Sequence, residues 1–203
     1  MDISDEMQEG LGIALNEASL VGLELDLPQK AGGVAFGVLA LPEDGPRPTD
    51  SRVLFVLQPF GRIAASLRLG NSENGRLEAV PLTIEELPDV VSSFGQRPIY
   101  GWEFVDYAEE DFAKWSDRLS MDFHGGGEGM AHSITLFQEG FDKDLELCIW
   151  FDEFTIFDPM RNEIGVDEFI AAGRRWWRAF RQNDPRTRNT VVTPSVIIPL
   201  ATN

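Results

Sequence analysis

The chain of 203 residues is poor in cysteine, histidine and positive charge, with one Cys, two His, and 17 Lys and Arg against 34 Asp and Glu. A lone Cys148 rules out an internal disulfide framework and fits a reducing compartment. Long apolar runs are also missing. The stretch between Lys30 and Glu43 comes nearest and falls short of the roughly 18 uncharged apolar residues that a membrane helix needs. The opening MDISDEMQEG is acidic and has neither the basic start nor the apolar segment of a signal peptide. These absences lead us to expect a cytoplasmic protein. A hydrophobic share of 43 %, with 14 Phe and 5 Trp, is that of a chain able to bury a core.

The net charge of −17 is unevenly spread. Up to Ala172 there are 33 acidic and 11 basic residues, whereas from Gly173 onward six arginines face the single Asp184. A field of this sign repels nucleic-acid phosphate. It suits a cationic protein partner, and it also serves solubility.

Alternation of apolar and polar residues predicts strands over 20–27 and 34–41, and EDGPRPTDS reads as a loop. RVLFVLQ and RIAASLRL read as two strands split by Pro59 and Gly61, and Asn74-Gly75 suits a tight hairpin into RLEAV. Thr83 and Glu86 form a capping box that opens a short helix toward Phe94, and a second short helix is expected over 108–119. Residues 1–16 fit no single pattern, although Ser4 is a suitable N-cap. IYGWEFVD, LSMDFH, SITLFQ and LELCIWF follow as strands. In the last, the apolar parity changes after Phe151, which predicts a bulge or tight turn at Asp152-Glu153.

A helix over 167–182 places Phe169, Ile170, Gly173, Trp176, Trp177 and Phe180 on a buried stripe, with Arg174, Arg178 and Arg181 on another side to pair with the acidic body. Strands interspersed with helices, without βαβ alternation, predict an α+β fold. Its mainly antiparallel sheet would carry two short helices and a C-terminal amphipathic helix. Residues 1–183 read as one domain, with a sub-division near 81–82 left open, and 184–203 as a partly ordered tail.

The stretch DFHGGGEGMAH, which holds both histidines, looks most like chemistry. An HGGG oxyanion loop needs a G-x-S-x-G nucleophile, which this chain lacks. No glycine is followed by lysine, so no Walker loop exists, and Met130 occupies the third glycine position of a dinucleotide fingerprint. His124, Glu128 and His132 are chemically plausible zinc or iron ligands. Four glycines oppose a helix there, so the expected conformation is a β-hairpin. Aligning Phe123 with Ile134 sets His124 opposite Ser133, and the two histidines then point to opposite faces. Cys148 lies mid-strand beside Glu146, a setting that disfavours a thiolate. No catalytic residue, cofactor or metal is assigned on these grounds.

Residues 80–104, VPLTIEELPDVVSSFGQRPIYGWEF, carry a short helix, a turn with Gly95, Arg97 and Pro98, and a strand bearing Trp102. This segment resembles bacterial immunity proteins that neutralise polymorphic toxins. The resemblance implies a non-enzymatic inhibitor of a secreted toxin domain.

The expectation is therefore a protein-binding module rather than an enzyme. Glu103, Asp106, Glu109, Glu110 and Asp111, together with Asp152 and Glu153, are the candidate partner-binding residues. Two alternatives stand beside it: a metal-dependent hydrolase or oxygenase using His124, Glu128 and His132, and a structural component of a homo-oligomer.

Overall fold

The apolar alternation is realised as a single antiparallel sheet that curls around its own core. The computed structural model describes residues 3–70, 77–95, 97–104, 118–126, 130–188 and 197–200. Its elements are α1 (Asp5–Leu15), β1 (Ser19–Asp26), β2 (Ala31–Gly37), β3 (Arg52–Gly70), β4 (Leu77–Ala79), α2 (Leu87–Ser92), β5 (Ile99–Phe104), β6 (Met121–His124), β7 (His132–Glu139), β8 (Lys143–Phe157), β9 (Glu163–Ile164) and α3 (Val166–Arg181). Among the described residues the sheet has nine strands in the order β1-β2-β3-β8-β7-β5, with β4 and β6 on β3 and β9 on β8. Every ladder is antiparallel. The fold is α+β, as expected.

The long strands β3 and β8 form the spine, paired from Leu54 with Phe157 to Leu69 with Lys143. The other edge of β3 is shared by β2, β6 and β4 in turn. At the ends of the sheet, Ser19 bridges Pro98, and the Ile99 N–H donates to the Ala18 carbonyl at 2.9 Å. The outermost strands β1 and β5 thus meet, and the concave face closes on an apolar core.

That core joins Phe36, Phe55, Phe60, Ile63, Leu147, Ile149 and Phe151 of the sheet to Leu11 and Leu15 of α1, Leu87 and Val91 of α2, and Phe169 of α3. Burying each such side chain contributes roughly 1.5–3 kcal/mol. Phe55 is the hub, with its ring 5.3–5.5 Å from those of Phe36, Phe154 and Phe169.

Side-chain capping sets the start of α1 alone among the three helices. The Ser4 hydroxyl accepts from the Met7 N–H and starts α1, so most of the stretch that fitted no single pattern is helix, from Asp5 to Leu15. Only the return half of the expected capping box forms: the Glu86 carboxylate accepts from the Thr83 N–H and hydroxyl at 2.9 and 3.0 Å, while Glu86 itself is the N-cap of α2 and gives it no side-chain cap. The described short helices are therefore α1 and α2, while residues 108–117 of the helix expected over 108–119 lie outside the described residues. So does the Asn74-Gly75 turn, although its flanks pair Gly70 with Leu77.

Several expectations need correction. RVLFVLQ and RIAASLRL belong to one strand, because β3 runs through Pro59 and Gly61 without a break. The parity change in β8 is real but involves neither a turn nor a bulge at Asp152-Glu153. Buried positions pass from Phe151 to Phe154 on β8 and from Leu57 to Phe60 on β3, with Gln58 aligned to Glu153 between them. Both strands bend at one corner of the sheet, and the register bulge lies on β3 between Phe60 and Arg62. On α3, Phe169, Ile170, Gly173 and Trp176 are buried, but Trp177 is half-buried and Phe180 is 51 % exposed. The helix packs on α1, with Gly173 against Ala14 and the Trp177 indole N–H donating to the Ile13 carbonyl. Since α1 ends at Leu15, the Phe180 ring stacks on Trp176 instead of entering the core.

Candidate functional site

The glycine-rich stretch lies at the sheet corner, and its course differs from the expected hairpin. β6 pairs with β3, setting His124 beside Arg62 and Phe123 beside Ile63. β7 pairs with β8, setting His132 beside Phe151 and Ile134 beside Ile149. The strands β3 and β8 therefore separate β6 from β7, and the connection is an arch across the corner. His124 is not opposite Ser133, whose partner in the ladder is Trp150.

The arch is fastened at each described point. The Gly125 N–H donates to the Gly61 carbonyl at 2.8 Å, and Lys30 Nζ donates to the Gly126 carbonyl at 2.6 Å. Past residues 127–129, the Met130 side chain rests on Gly61, where a Cβ would lie 2.7 Å from Met130 Cγ. The Ala131 N–H donates to Asp152 Oδ1 at 3.1 Å. Gly61 thus serves close approach, and Asp152, a candidate partner-binding residue, holds the backbone of the arch.

Strand parity still places the two histidines on opposite faces. Phe123 packs against the core, so His124 and Asp122 project from the other face. His132 shares the core parity of Ile134 and lies 6.0 Å from the Phe151 ring. Glu128 lies outside the described residues. Among the described residues, no group of three or more His, Cys, Asp or Glu side chains is placed to hold a metal ion.

On the convex face Asp122 organises a polar cluster. Arg62 Nε and Nη2 donate to its two carboxylate oxygens at 2.8 and 2.7 Å, and His124 Nε2 lies 3.2 Å away. The Arg62 guanidinium also sits 5.0 Å above the Trp150 ring. Burial alone would raise the Asp122 pKa, but Arg62 and His124 outweigh it and hold the carboxyl below its ordinary range.

Cys148 lies further along this face, buried, with the Thr135 hydroxyl donating to its Sγ at 3.4 Å. Burial pushes the thiol pKa up to about 12. The sequence attributed the suppressed thiolate to Glu146, whereas desolvation is the larger cause and Glu146 a lesser one. Glu146 itself is raised by burial, against the attraction of Arg68 and Arg118.

Glu103 stands on β5 opposite Thr135 of β7. Asp106, Glu109, Glu110 and Asp111 lie outside the described residues. Glu153 is exposed at the corner beside the half-buried Asp152. Acidic side chains are also exposed at the start of α1 (Asp5, Glu6), in the loop after β2 (Glu43, Asp44) and at the start of α3 (Asp167, Glu168). Nothing in the sequence singles out these three groups, because their convergence depends on the α1–α3 contact.

They border a cleft of about 540 Å³ lined by Glu6, Glu43, Asp167, Arg174, Arg175 and Arg178. The expected pairing of the α3 arginines with the acidic body is realised differently. Arg175 binds Glu168 and the Leu41 carbonyl. Arg174, Arg178 and Arg181 make no ion pair among the described residues, and the first two face acidic residues across the cleft. Of the other cations, Arg52 and Arg186 are bound to Asp50 and Asp184, each two residues away.

In comparisons with known proteins, the chain matches no family model, no curated protein and no solved structure.

Proposed function

We propose that this protein is a non-enzymatic binding module whose acidic surface engages a basic protein. The observation that carries the reading is the charge excess, 34 acidic against 17 basic residues. Ion pairing cannot consume that excess, because 17 Lys and Arg face 34 Asp and Glu. Acidic side chains stay exposed at the sheet corner and around the α1–α3 cleft. A surface of this sign speeds encounter with a cationic partner and disfavours anionic competitors.

Support also comes from how the chemically able residues are used. Asp122 is bound to Arg62, Asp152 holds the arch, and Cys148 is a buried, protonated thiol. Each has a structural task. The resemblance of residues 80–104 to immunity proteins narrows the partner to a toxin domain encoded beside this chain.

The test is co-expression of the chain with the product of the neighbouring gene, followed by titration of the purified pair. Rescue of growth and a salt-sensitive complex are expected. Absence of both would defeat the proposal.

A further inference from the structure

The convex face above β1, β2 and β3 carries a second apolar cluster, separate from the main core and formed by Val21, Ala35, Leu54 and Ile198. Ile198 comes from the C-terminal segment, which the sequence suggests is a partly ordered tail with one possible strand. Residues 197–200 lie in a trough on this face, and the sheet is shaped to receive them. Ile197 fits over Gly22, where a Cβ would lie 3.2 Å from its Cδ1. Leu200 fits over Gly33, where a Cβ would lie 2.9 Å from its Cγ. Two notches in adjacent strands therefore admit side chains three residues apart, and Ile198 fills the space between them.

The polar contacts are equally specific. Leu200 N–H donates to Glu24 Oε2 at 2.6 Å, and Arg161 Nη1 donates to the Pro199 carbonyl at 2.9 Å. These two groups belong to the same peptide unit. An anion on β1 and a cation in the β8–β9 turn thus grip opposite poles of the Pro199–Leu200 peptide, and charge-assisted hydrogen bonds of this kind are the stronger ones. The Arg161 guanidinium is itself steadied over the Phe157 ring at 4.9 Å.

We infer that this trough is a built peptide-recognition site for an Ile-Ile-Pro-Leu segment, and that the chain's own C-terminal segment is its resident ligand, a strap that can be replaced in trans. Its ligand class is a short apolar peptide with proline before the last anchor. Proline suits that place because its nitrogen has no hydrogen to satisfy and its fixed φ lowers the entropy lost on docking. The site is remote in kind from the acidic surface, and it stands or falls independently of the partner proposed above.

The test uses the full-length chain with the strap disabled by Ile198→Asp and Leu200→Asp. A fluorescein-labelled peptide with the sequence of residues 195–202, SVIIPLAT, is titrated in by fluorescence polarisation. Saturable binding to the disabled chain is expected, with little binding to the wild-type chain, whose seat is filled. Adding Gly33→Leu should abolish binding, and adding Glu24→Gln should weaken it by about tenfold. No binding to a disabled chain that keeps its circular-dichroism spectrum overturns the inference, as does binding indifferent to Gly33→Leu. Hydrogen exchange on the wild-type chain decides the matter if the disabled variant fails to fold. Protection of the Leu200 amide supports the strap, and exchange at the rate of an unstructured peptide overturns it.

Discussion

Met130, in the arch between β6 and β7, lies directly on Gly61 of β3, leaving no room for a Cβ at that position. The contact joins the glycine-rich stretch to the corner where β3 and β8 bend together. Gly61→Val is expected to destabilise the fold by about 1–3 kcal/mol through overpacking. Gly61→Ala should cost less, since the flexible methionine can move aside. Urea unfolding of Gly61→Val, Met130→Ala and the double variant checks the relationship. Met130→Ala should relieve most of the valine's cost, and simple additivity would refute the contact.

The arch also bears on how far the sequence could be read. The faces of β6 and β7 were legible because parity follows burial, whichever strand lies alongside. Phe123 and Ile134 are apolar for the same reason, and His124 follows Phe123 onto the other face. The partner of β6 was not legible. A short glycine-rich connection suggests a hairpin, whereas the true neighbour, β3, lies about sixty positions earlier and offers the same apolar alternation. Pro59 was misread as a strand break because it cannot donate to a ladder, yet β3 bends there without ending. Phe180 continues the helical stripe of α3, but only the length of α1 shows that the stripe outruns its cover. For residues 197–200 the sequence offers one possible strand in a tail but not its docking, since the seat depends on glycines in two distant strands.

The pair between Arg62 and Asp122 gives a pH-dependent prediction. The Asp122 pKa is lower in the folded chain than in the unfolded one. Its contribution to stability is therefore complete above the ordinary aspartate range and is lost as pH falls through the folded value. Allowing for partial solvent exposure, Asp122→Asn should cost about 1 kcal/mol near neutrality. Unfolding curves of the two proteins should converge in strong acid. A difference that persists there would place its origin outside this ion pair.

Gln138 is 1 % exposed, and among the described residues neither its amide nitrogen nor its amide oxygen has a hydrogen-bond partner. It lies on β7 opposite Leu145 of β8 and Ile99 of β5, in an apolar setting. Unpaired buried amide groups are costly, so Gln138→Met, close in volume, should stabilise the protein by about 1–2 kcal/mol. Thermal and urea denaturation provide the measurement. A destabilised variant would show that the amide makes an interaction the structure does not contain.

Cys148 should behave as an inert thiol. With a pKa of about 12 and little exposure, it should resist iodoacetamide at mildly alkaline pH until the protein is unfolded in denaturant. Mass spectrometry of alkylated samples checks this. Rapid native-state labelling would contradict the burial.

Binding of a basic partner by the acidic surface is proposed above. Calorimetric titration of the purified protein with the neighbouring gene's product, at about 0.05 M and about 0.5 M salt, tests it most directly. The expected result is a complex that weakens markedly at the higher salt, and that weakens again when Glu153→Lys is introduced at the exposed corner. An affinity indifferent to salt and to that charge reversal, or no binding at low salt, would contradict it.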